Sequence, residues 1–359
     1  MEKRNLLHIE VIRIIAAYFV IFNHTTSNGF FLFAQYERGS LLYWIYMTLS
    51  VFCKISVPLF FMIAGALLLR KDISLKKLWC EKIAKMVIVL FVFSLVMYIG
   101  ALSYSSDFHL SVKDFLKKLY MEKASFAYWY LYAYIGLLIS LPFLRAIVKE
   151  IKEIHYKYLI ILYIIFTAVI PCVEYRLFQG SISINGDIKP TWLFTNIVFW
   201  PLLEYYLENI YDYNKCNNKV IVTWIFSGIV GIGISCYMIY YMHGVMGKCK
   251  ETNAQAFHMM FIVFPCIAIY MGLKKLFLNY HTKKFLRKIS VSVGGCTFGI
   301  YLIHVLVKEN FSFLWDVFRE KWYMNDMIVA LFFCLIVFFV SYMIIRILKK
   351  VPVVKKLIY

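Results

Sequence analysis

Three ionisable residues lie within the first apolar stretch of the chain, at spacings that favour joint chemistry. Residues 9–28 are apolar enough to span a bilayer, yet they include Glu10, Arg13 and His24. A charge near the centre of a bilayer costs about 2.5–3.5 kcal/mol on insertion scales, so such residues are candidates for function. On a helix, Arg13 and His24 share one face about 16 Å apart along the axis. Glu10 lies three residues before Arg13, within reach of an ion pair that lessens the cost of burial.

The elements that carry these residues must cross a membrane. The chain has 359 residues, 62% hydrophobic and 16% charged, with a mean hydropathy of +0.71. A soluble domain cannot bury that much apolar surface, and the apolar residues come in blocks near or above the ~20 that a spanning helix needs. We predict an all-α polytopic membrane protein, a bundle of about ten transmembrane helices with both termini cytoplasmic. The predicted spans are residues 9–28, 41–69, 84–103, 128–147, 157–172, 190–210, 219–242, 257–273, 293–312 and 326–347.

The basic charge of the chain is explained by topology. We expect one membrane domain over residues 1–359, with a short basic cytoplasmic tail from about residue 349. The formal net charge is +19, and most Lys and Arg residues fall in the predicted cytoplasmic segments, in keeping with the positive-inside rule. Membrane lipid with anionic head groups is therefore the expected partner, and no nucleic acid is expected. The basic start resembles a signal peptide, but Arg13 interrupts its apolar run, so we expect it to be retained as the first helix.

The nine cysteines show no metal-binding pattern. They are scattered, with no CxxC and no His/Cys cluster at ligand spacing. No metal site is predicted.

The second apolar block, residues 41–69, is too long for one straight span. Pro58 removes a backbone donor, so a kink or break is expected there. Lys54 lies one turn earlier. Its side chain either faces a pore or extends to the outer surface, and its depth favours the pore.

An aromatic segment begins the fourth predicted span and includes Trp129 and Tyr130. Trp and Tyr at this position are typical of an interfacial belt. They are also what a sugar-binding cleft uses, because aromatic faces pack on the C–H faces of sugar rings. Both interpretations remain open at this point.

The ninth predicted span holds the second strong feature. Gly294 and Gly295 allow close packing or a looser helix, and His304 lies near mid-span on the same face as Tyr301. His304 is either a bonded structural histidine or part of a polar interior with His24 and Arg13 on one wall.

Four other polar residues are expected to have no part in a site. Glu204 is predicted near the cytoplasmic end of its span. His243, His258 and His281 fall at span ends or in loops and are predicted to be solvated.

These residues resemble the motifs of acyltransferase family 3, membrane-bound enzymes that acylate glycans and cell-surface polymers. The resemblance covers nearly the whole chain, with four motifs in the family's order. This chain has Glu10 where Asp is more usual, Ala64 where Ser is usual, and Ala127 where a His often lies. The matching residues are Glu10, Arg13 and His24; Lys54, Pro58, Leu59, Phe60, Phe61 and Gly65; Trp129, Tyr130 and Leu131; and Thr297 to His304.

The resemblance implies transfer of an acyl group, commonly acetyl from cytosolic acetyl-CoA, to a hydroxyl of a glycan or lipid-linked sugar at the outer face. Acyl-CoA is then a donor substrate, and no tightly bound cofactor is expected. Some members carry a fused extracytoplasmic esterase-like domain. We expect none here, so the acyl group passes directly to the acceptor or to a separate extracytoplasmic transferase.

The Lys- and Ile-rich composition favours a bacterial cytoplasmic membrane.

The expected mechanism assigns catalytic roles to three residues. Arg13, nearer the cytoplasm and paired with Glu10, binds the phosphates or the developing oxyanion of acyl-CoA. His24, nearer the outside, takes the acceptor's proton as general base. Direct transfer and a covalent acyl relay both fit. The substrate-binding candidates are Lys54, Trp129, Tyr130, Tyr301 and His304.

A rival function is a flippase or exporter of a glycan or lipid-linked intermediate without acyl transfer. A polar channel with Arg, Lys and His residues would serve it too. The inverted repeats typical of transporters are not found in the sequence.

Overall fold

A computed structural model of the protein describes residues 7–101, 110–121, 124–249, 254, 257–279 and 284–358. Within these ranges the chain is helical and contains no β-strand, which confirms the predicted all-α class. Short helical turns at Leu75–Lys77 and Leu314–Asp316, with 3₁₀ and π segments, join the longer elements. The longer helices are α1 (Leu7–Asn23), α2 (Leu41–Cys53), α3 (Ser56–Leu68), α4 (Ala84–Gly100), α5 (Val112–Tyr120), α6 (Trp129–Glu150), α7 (Glu153–Ile164), α8 (Ile170–Phe178), α9 (Phe199–Tyr205), α10 (Asn218–Met246), α11 (Val263–Asn279), α12 (Lys284–Gly294), α13 (Thr297–Asn310), α14 (Asp326–Leu348) and α15 (Pro352–Ile358).

Helix α1 lies in the middle of the bundle. It packs against α2, α3, α11, α12, α13 and α14. Its apolar residues Ile9, Ile12, Ala16 and Val20 recur every three or four positions and are buried. Because neighbours surround this helix, its polar side chains face other protein elements more than lipid.

Fewer than ten helices of the described residues have the length and hydropathy expected of a membrane span. Among the described residues, six helical segments are long and apolar enough to cross a membrane, or seven if the bent pair of α12 and α13 forms one span. Within the described residues helices α1 and α11 have 17 residues each, and the predicted span 190–210 is divided into three short pieces. The ten-span count is therefore not confirmed, and the cytoplasmic placement of the termini stays a prediction.

The expected break in the second apolar block is present. Helix α2 ends at Cys53 and α3 begins at Ser56, with Lys54 in the break. Pro58 falls in the first turn of α3, where a backbone N–H has no intrahelical partner in any case. The Asn23 amide, at the end of α1, bridges the break by donating to the Cys53 carbonyl (3.3 Å) and the Ser56 hydroxyl (2.9 Å).

The glycine pair of the ninth predicted span marks a sharp bend. Helices α12 and α13 meet at 58° across residues 295–296. The Lys349 ammonium donates to the Gly295 carbonyl (2.6 Å), and the Thr297 hydroxyl donates to the Gly294 carbonyl (2.7 Å). The segment predicted as a basic tail includes a short helix, α15, whose Ile358 is buried.

Candidate active site

Glu10 and Arg13 form the ion pair expected from their spacing. Arg13 Nη1 lies 2.9 Å from Glu10 Oε1, and their side chains are 22% and 19% exposed. Within the described residues, this is the single hydrogen bond that the guanidinium donates, so most of its N–H groups remain available to a ligand. The other carboxylate oxygen of Glu10 is buried without a partner in the same set and faces Gly294, which has no side chain to block it.

His24 and His304 meet across the bundle, although 280 residues separate them. Nδ1 of His24 lies 2.7 Å from Nε2 of His304, and the two ring planes, with centroids 5.0 Å apart, are inclined by 15°. His304 is fully buried, whereas His24, which directly follows α1, is partly exposed. Nδ1 of His304 lies 2.6 Å from the Tyr301 carbonyl oxygen. The polar interior considered from sequence therefore includes His304.

An aromatic row joins the two polar pairs. Tyr130 packs edge-on against Tyr301 (5.4 Å between ring centroids), and the Tyr301 ring lies 5.9 Å from that of His304. Tyr130 also stacks on Tyr134 at 6.1 Å. Within the described residues the hydroxyls of Tyr130 and Tyr134 have no hydrogen-bond partner, and both side chains are partly accessible. These hydroxyls are therefore available to a ligand between the pairs.

Tyr301 and Trp129 differ in their relation to this row. The ring of Tyr301 is part of the row, and its hydroxyl donates to the Ala127 carbonyl (2.6 Å), which holds α13 to the start of α6. Trp129 is 36% exposed and makes no ring contact with the row among the described residues. Because neighbouring helix positions differ by about 100°, Tyr130 faces inward and Trp129 does not.

Lys54 lies near the histidine pair. Its ammonium is 4.4 Å from the centroid of the Phe30 ring, a cation–π contact. It is close enough to His24 and His258 to act on both electrostatically. That Lys54 faces a pore stays a prediction.

Two residues around His24 were missed by sequence reasoning. The Lys308 ammonium donates to the His24 carbonyl (3.0 Å) and pairs with Glu309 at 2.7 Å. The Phe126 ring lies edge-on to His24 at 4.9 Å. Lys308 follows His304 by four positions, so helical spacing was the signal that could have found it.

The predictions for the outlying histidines are corrected in part. His258, predicted to be solvated, is fully buried among Phe30, Phe31 and Phe33. His243 accepts from or donates to the Tyr43 hydroxyl at 3.0 Å, and His281 lies outside the described residues. Aromatic neighbours from the loop after α1 cover His258, and that packing is invisible in a local pattern.

A second polar cluster ties the start of α1 to α9 and α11. Lys274 Nζ lies 2.8 Å and His8 Nε2 3.3 Å from Glu208 Oε2, and the Tyr270 hydroxyl is 2.7 Å from Glu204 Oε1. Glu204 was predicted near a helix end without a role, yet it is 0% exposed. The Tyr270 hydrogen bond satisfies Oε1 of Glu204, whereas Oε2 is buried without a hydrogen-bond partner among the described residues.

Over the part of the chain that the structure describes, no three His, Cys, Asp or Glu side chains form a group suited to a metal ion.

Membrane-length helices around a central helix indicate a multi-pass membrane protein, and its interior contains an Arg–Glu pair and a His–His pair. The sequence matches the acyltransferase domain model of acyltransferase family 3 over residues 6–346, nearly the whole chain. The chain belongs to that family. No curated protein and no solved structure matches it significantly.

Proposed function

We propose that this protein transfers an acyl group, in the simplest case acetyl from cytosolic acetyl-CoA, to a hydroxyl of a glycan or lipid-linked sugar at the outer face of a bacterial cytoplasmic membrane. Family membership supports the acyltransferase class. The single observation that carries the proposal is the His304–His24 pair with the row of Tyr130 and Tyr301 beside it, in the bundle whose central helix also carries the Arg13–Glu10 pair. An anion-binding group and a candidate proton acceptor then lie inside one bundle.

The donor end of the row is Arg13. A guanidinium stays charged and binds phosphate or carbonyl oxygen through several N–H groups at once. The pair with Glu10 uses one of those groups and holds the side chain in place. An acyl-CoA that enters from the cytoplasm with its pantetheine arm along the row would bring its thioester toward His24, about 16 Å away along the helix axis.

The acceptor end is His24. The acceptor hydroxyl loses its proton to the His24 imidazole as its oxygen attacks the thioester carbon, and the carbon–sulfur bond then breaks. The CoA thiolate takes up that proton, so that ester and free CoA thiol are the products and the charge balances. General-base catalysis of this kind typically contributes about 10²–10⁴-fold.

The partly accessible tyrosines support binding of a sugar or of the pantetheine arm, through ring faces and the hydroxyls of Tyr130 and Tyr134. A separate extracytoplasmic transferase remains an alternative receiver of the acyl group. Direct transfer requires only the residues of the row.

The test uses the purified protein in proteoliposomes with acetyl-labelled acetyl-CoA and a membrane glycan fraction. We expect label to enter the glycan with the wild type and not with His24→Ala, while His243→Ala, outside the row, transfers normally. Near-normal labelling by a folded His24→Ala variant would refute the role of His24. Label that stays in CoA while glycan crosses the membrane would favour a flippase instead.

A further inference from the structure

The hydrogen bonds of His304 fix the position of its proton. A backbone carbonyl oxygen only accepts, so the 2.6 Å contact with the Tyr301 carbonyl requires the hydrogen of His304 on Nδ1. A neutral imidazole carries one N–H, so Nε2 of His304 is then a bare acceptor. The bonding partner of His304 within its own helix therefore determines which atom it presents to His24.

The same reasoning extends to His24. Its Nδ1 lies 2.7 Å from the bare Nε2 of His304, and only one hydrogen can lie between two nitrogens. In the neutral pair Nδ1 of His24 therefore carries the hydrogen and Nε2 keeps its lone pair. Among the described residues Nε2 of His24 has no hydrogen-bond partner. This is the atom that a substrate hydroxyl can reach.

We propose that His304 is a positioning residue that holds His24 in the tautomer with a free Nε2 lone pair, through the chain Tyr301 carbonyl, His304, His24. The inference rests on the proposed function, because a free lone pair matters only if His24 accepts a proton. Once Nε2 of His24 has gained that proton, its Nδ1–H donates a charge-assisted hydrogen bond to His304, which is stronger than the neutral one. The second imidazole thus takes the place that a carboxylate often has beside a catalytic histidine.

Two local contacts hold this geometry in place. The Lys308 ammonium fixes the His24 backbone by its bond to the carbonyl, and the Phe126 ring lies against the imidazole edge-on. With the backbone and one ring side fixed, the remaining freedom of His24 is rotation of the ring, and the bond to His304 removes it.

The first test compares two substitutions at one position. His304→Phe keeps an aromatic ring but removes the acceptor, whereas the amide oxygen of His304→Gln can replace Nε2. We expect His304→Phe to lower kcat about 10²-fold, the lower end of a general-base contribution, with KM for both substrates little changed. His304→Gln should recover at least about tenfold of that loss. His258→Phe is the matched control, because His258 is also buried and bonded to a backbone carbonyl but lies outside the row.

The second test is independent of activity. Nitrogen-15 NMR of histidine-labelled protein in nanodiscs distinguishes a protonated from a bare ring nitrogen. We expect His24 to be protonated at Nδ1 and bare at Nε2 in the wild type, and to become a mixture of tautomers in His304→Phe.

The outcomes separate the two proposals. A folded His304→Phe variant with a kcat within threefold of the wild type, or a wild-type His24 protonated at Nε2, overturns the positioning role. A wild type that shows the expected tautomers yet transfers no label refutes the proposed function and leaves the tautomer assignment standing.

Discussion

The contact between Gly294 and Glu10 gives the sharpest prediction about the donor end of the site. A Cβ added at Gly294 would lie 3.0 Å from Cβ of Glu10 and still closer to its carboxylate, whereas ordinary contacts are 3.4–4 Å. The carboxylate can rotate away, but Cβ of Glu10 is fixed to α1. Gly294→Ala must therefore separate α12 from α1 or pull Glu10 from its 2.9 Å pair with Arg13.

The expected decrease in the free energy of unfolding follows from the burial of the Glu10–Arg13 pair. Removing one partner of a fully buried ion pair costs about 3–5 kcal/mol, and we reduce this to about 2 kcal/mol because about a fifth of each side chain is exposed. Alanine in place of glycine favours a helix by about 0.5–1 kcal/mol. The free energy of unfolding of Gly294→Ala should therefore fall by about 1–1.5 kcal/mol, the difference between these two effects.

The assay is equilibrium unfolding by SDS in mixed micelles. Gly233→Ala in α10 is the matched control, because a Cβ there meets nothing within 4 Å, and it should be neutral or slightly stabilising. In the Glu10→Ala background, Gly294→Ala should cost much less than in the wild type, since the carboxylate it displaces is gone. A Gly294→Ala variant as stable as Gly233→Ala would refute the reasoning.

Three further predictions concern packing and the row. Gly65→Ala should reduce the free energy of unfolding by about 1–3 kcal/mol in the same SDS assay, because its Cβ would lie 2.7 Å from backbone atoms of Pro201, which cannot rotate away. Tyr130→Ala should impair acyl transfer in the labelled acetyl-CoA assay far more than Trp129→Ala. Equal effects of the two substitutions would contradict the conclusion that Tyr130 faces inward and Trp129 does not. Lys308→Met keeps the length of the side chain but loses the bond to the His24 carbonyl. The value of kcat should fall about tenfold, the equivalent of about 1.4 kcal/mol, and an unchanged kcat would contradict the role of Lys308 in holding His24.

Local spacing predicted those parts of the site that lie within one helix. Glu10 and Arg13 are one turn apart, so their pair follows from helix geometry alone. The same holds for Tyr301 and His304 on one face of α13. Pro58 predicted the break in the second block because its missing N–H is a property of one residue.

Contacts between distant parts of the chain could not be predicted in this way. The sequence indicated that His24 and His304 each lie in an apolar span, but their contact depends on how α1 and α13 pack. Trp129 and Tyr130 appear equivalent in a motif, and only the rotation of α6 separates them. His258 appeared solvated because the aromatic residues that cover it come from a loop far away in sequence.

The ten-span count is not confirmed, and its least certain members have a common feature. Hydrophobic stretches identify apolar segments, but an apolar segment surrounded by protein need not be long enough to cross the bilayer by itself. The described part of helix α1 has 17 residues, and residues 190–210 are divided into short pieces, with Pro201 within one of them.

The measurement that tests the central claim most directly is single-turnover acyl transfer with donor and acceptor on opposite faces. Acetyl-labelled acetyl-CoA is enclosed in proteoliposomes of defined orientation, and the glycan acceptor is supplied outside. We predict that the wild type moves label into the outer acceptor within one turnover, and that His24→Gln does not, although it binds acetyl-CoA as tightly. Equal labelling of the acceptor by wild type and His24→Gln would contradict the account.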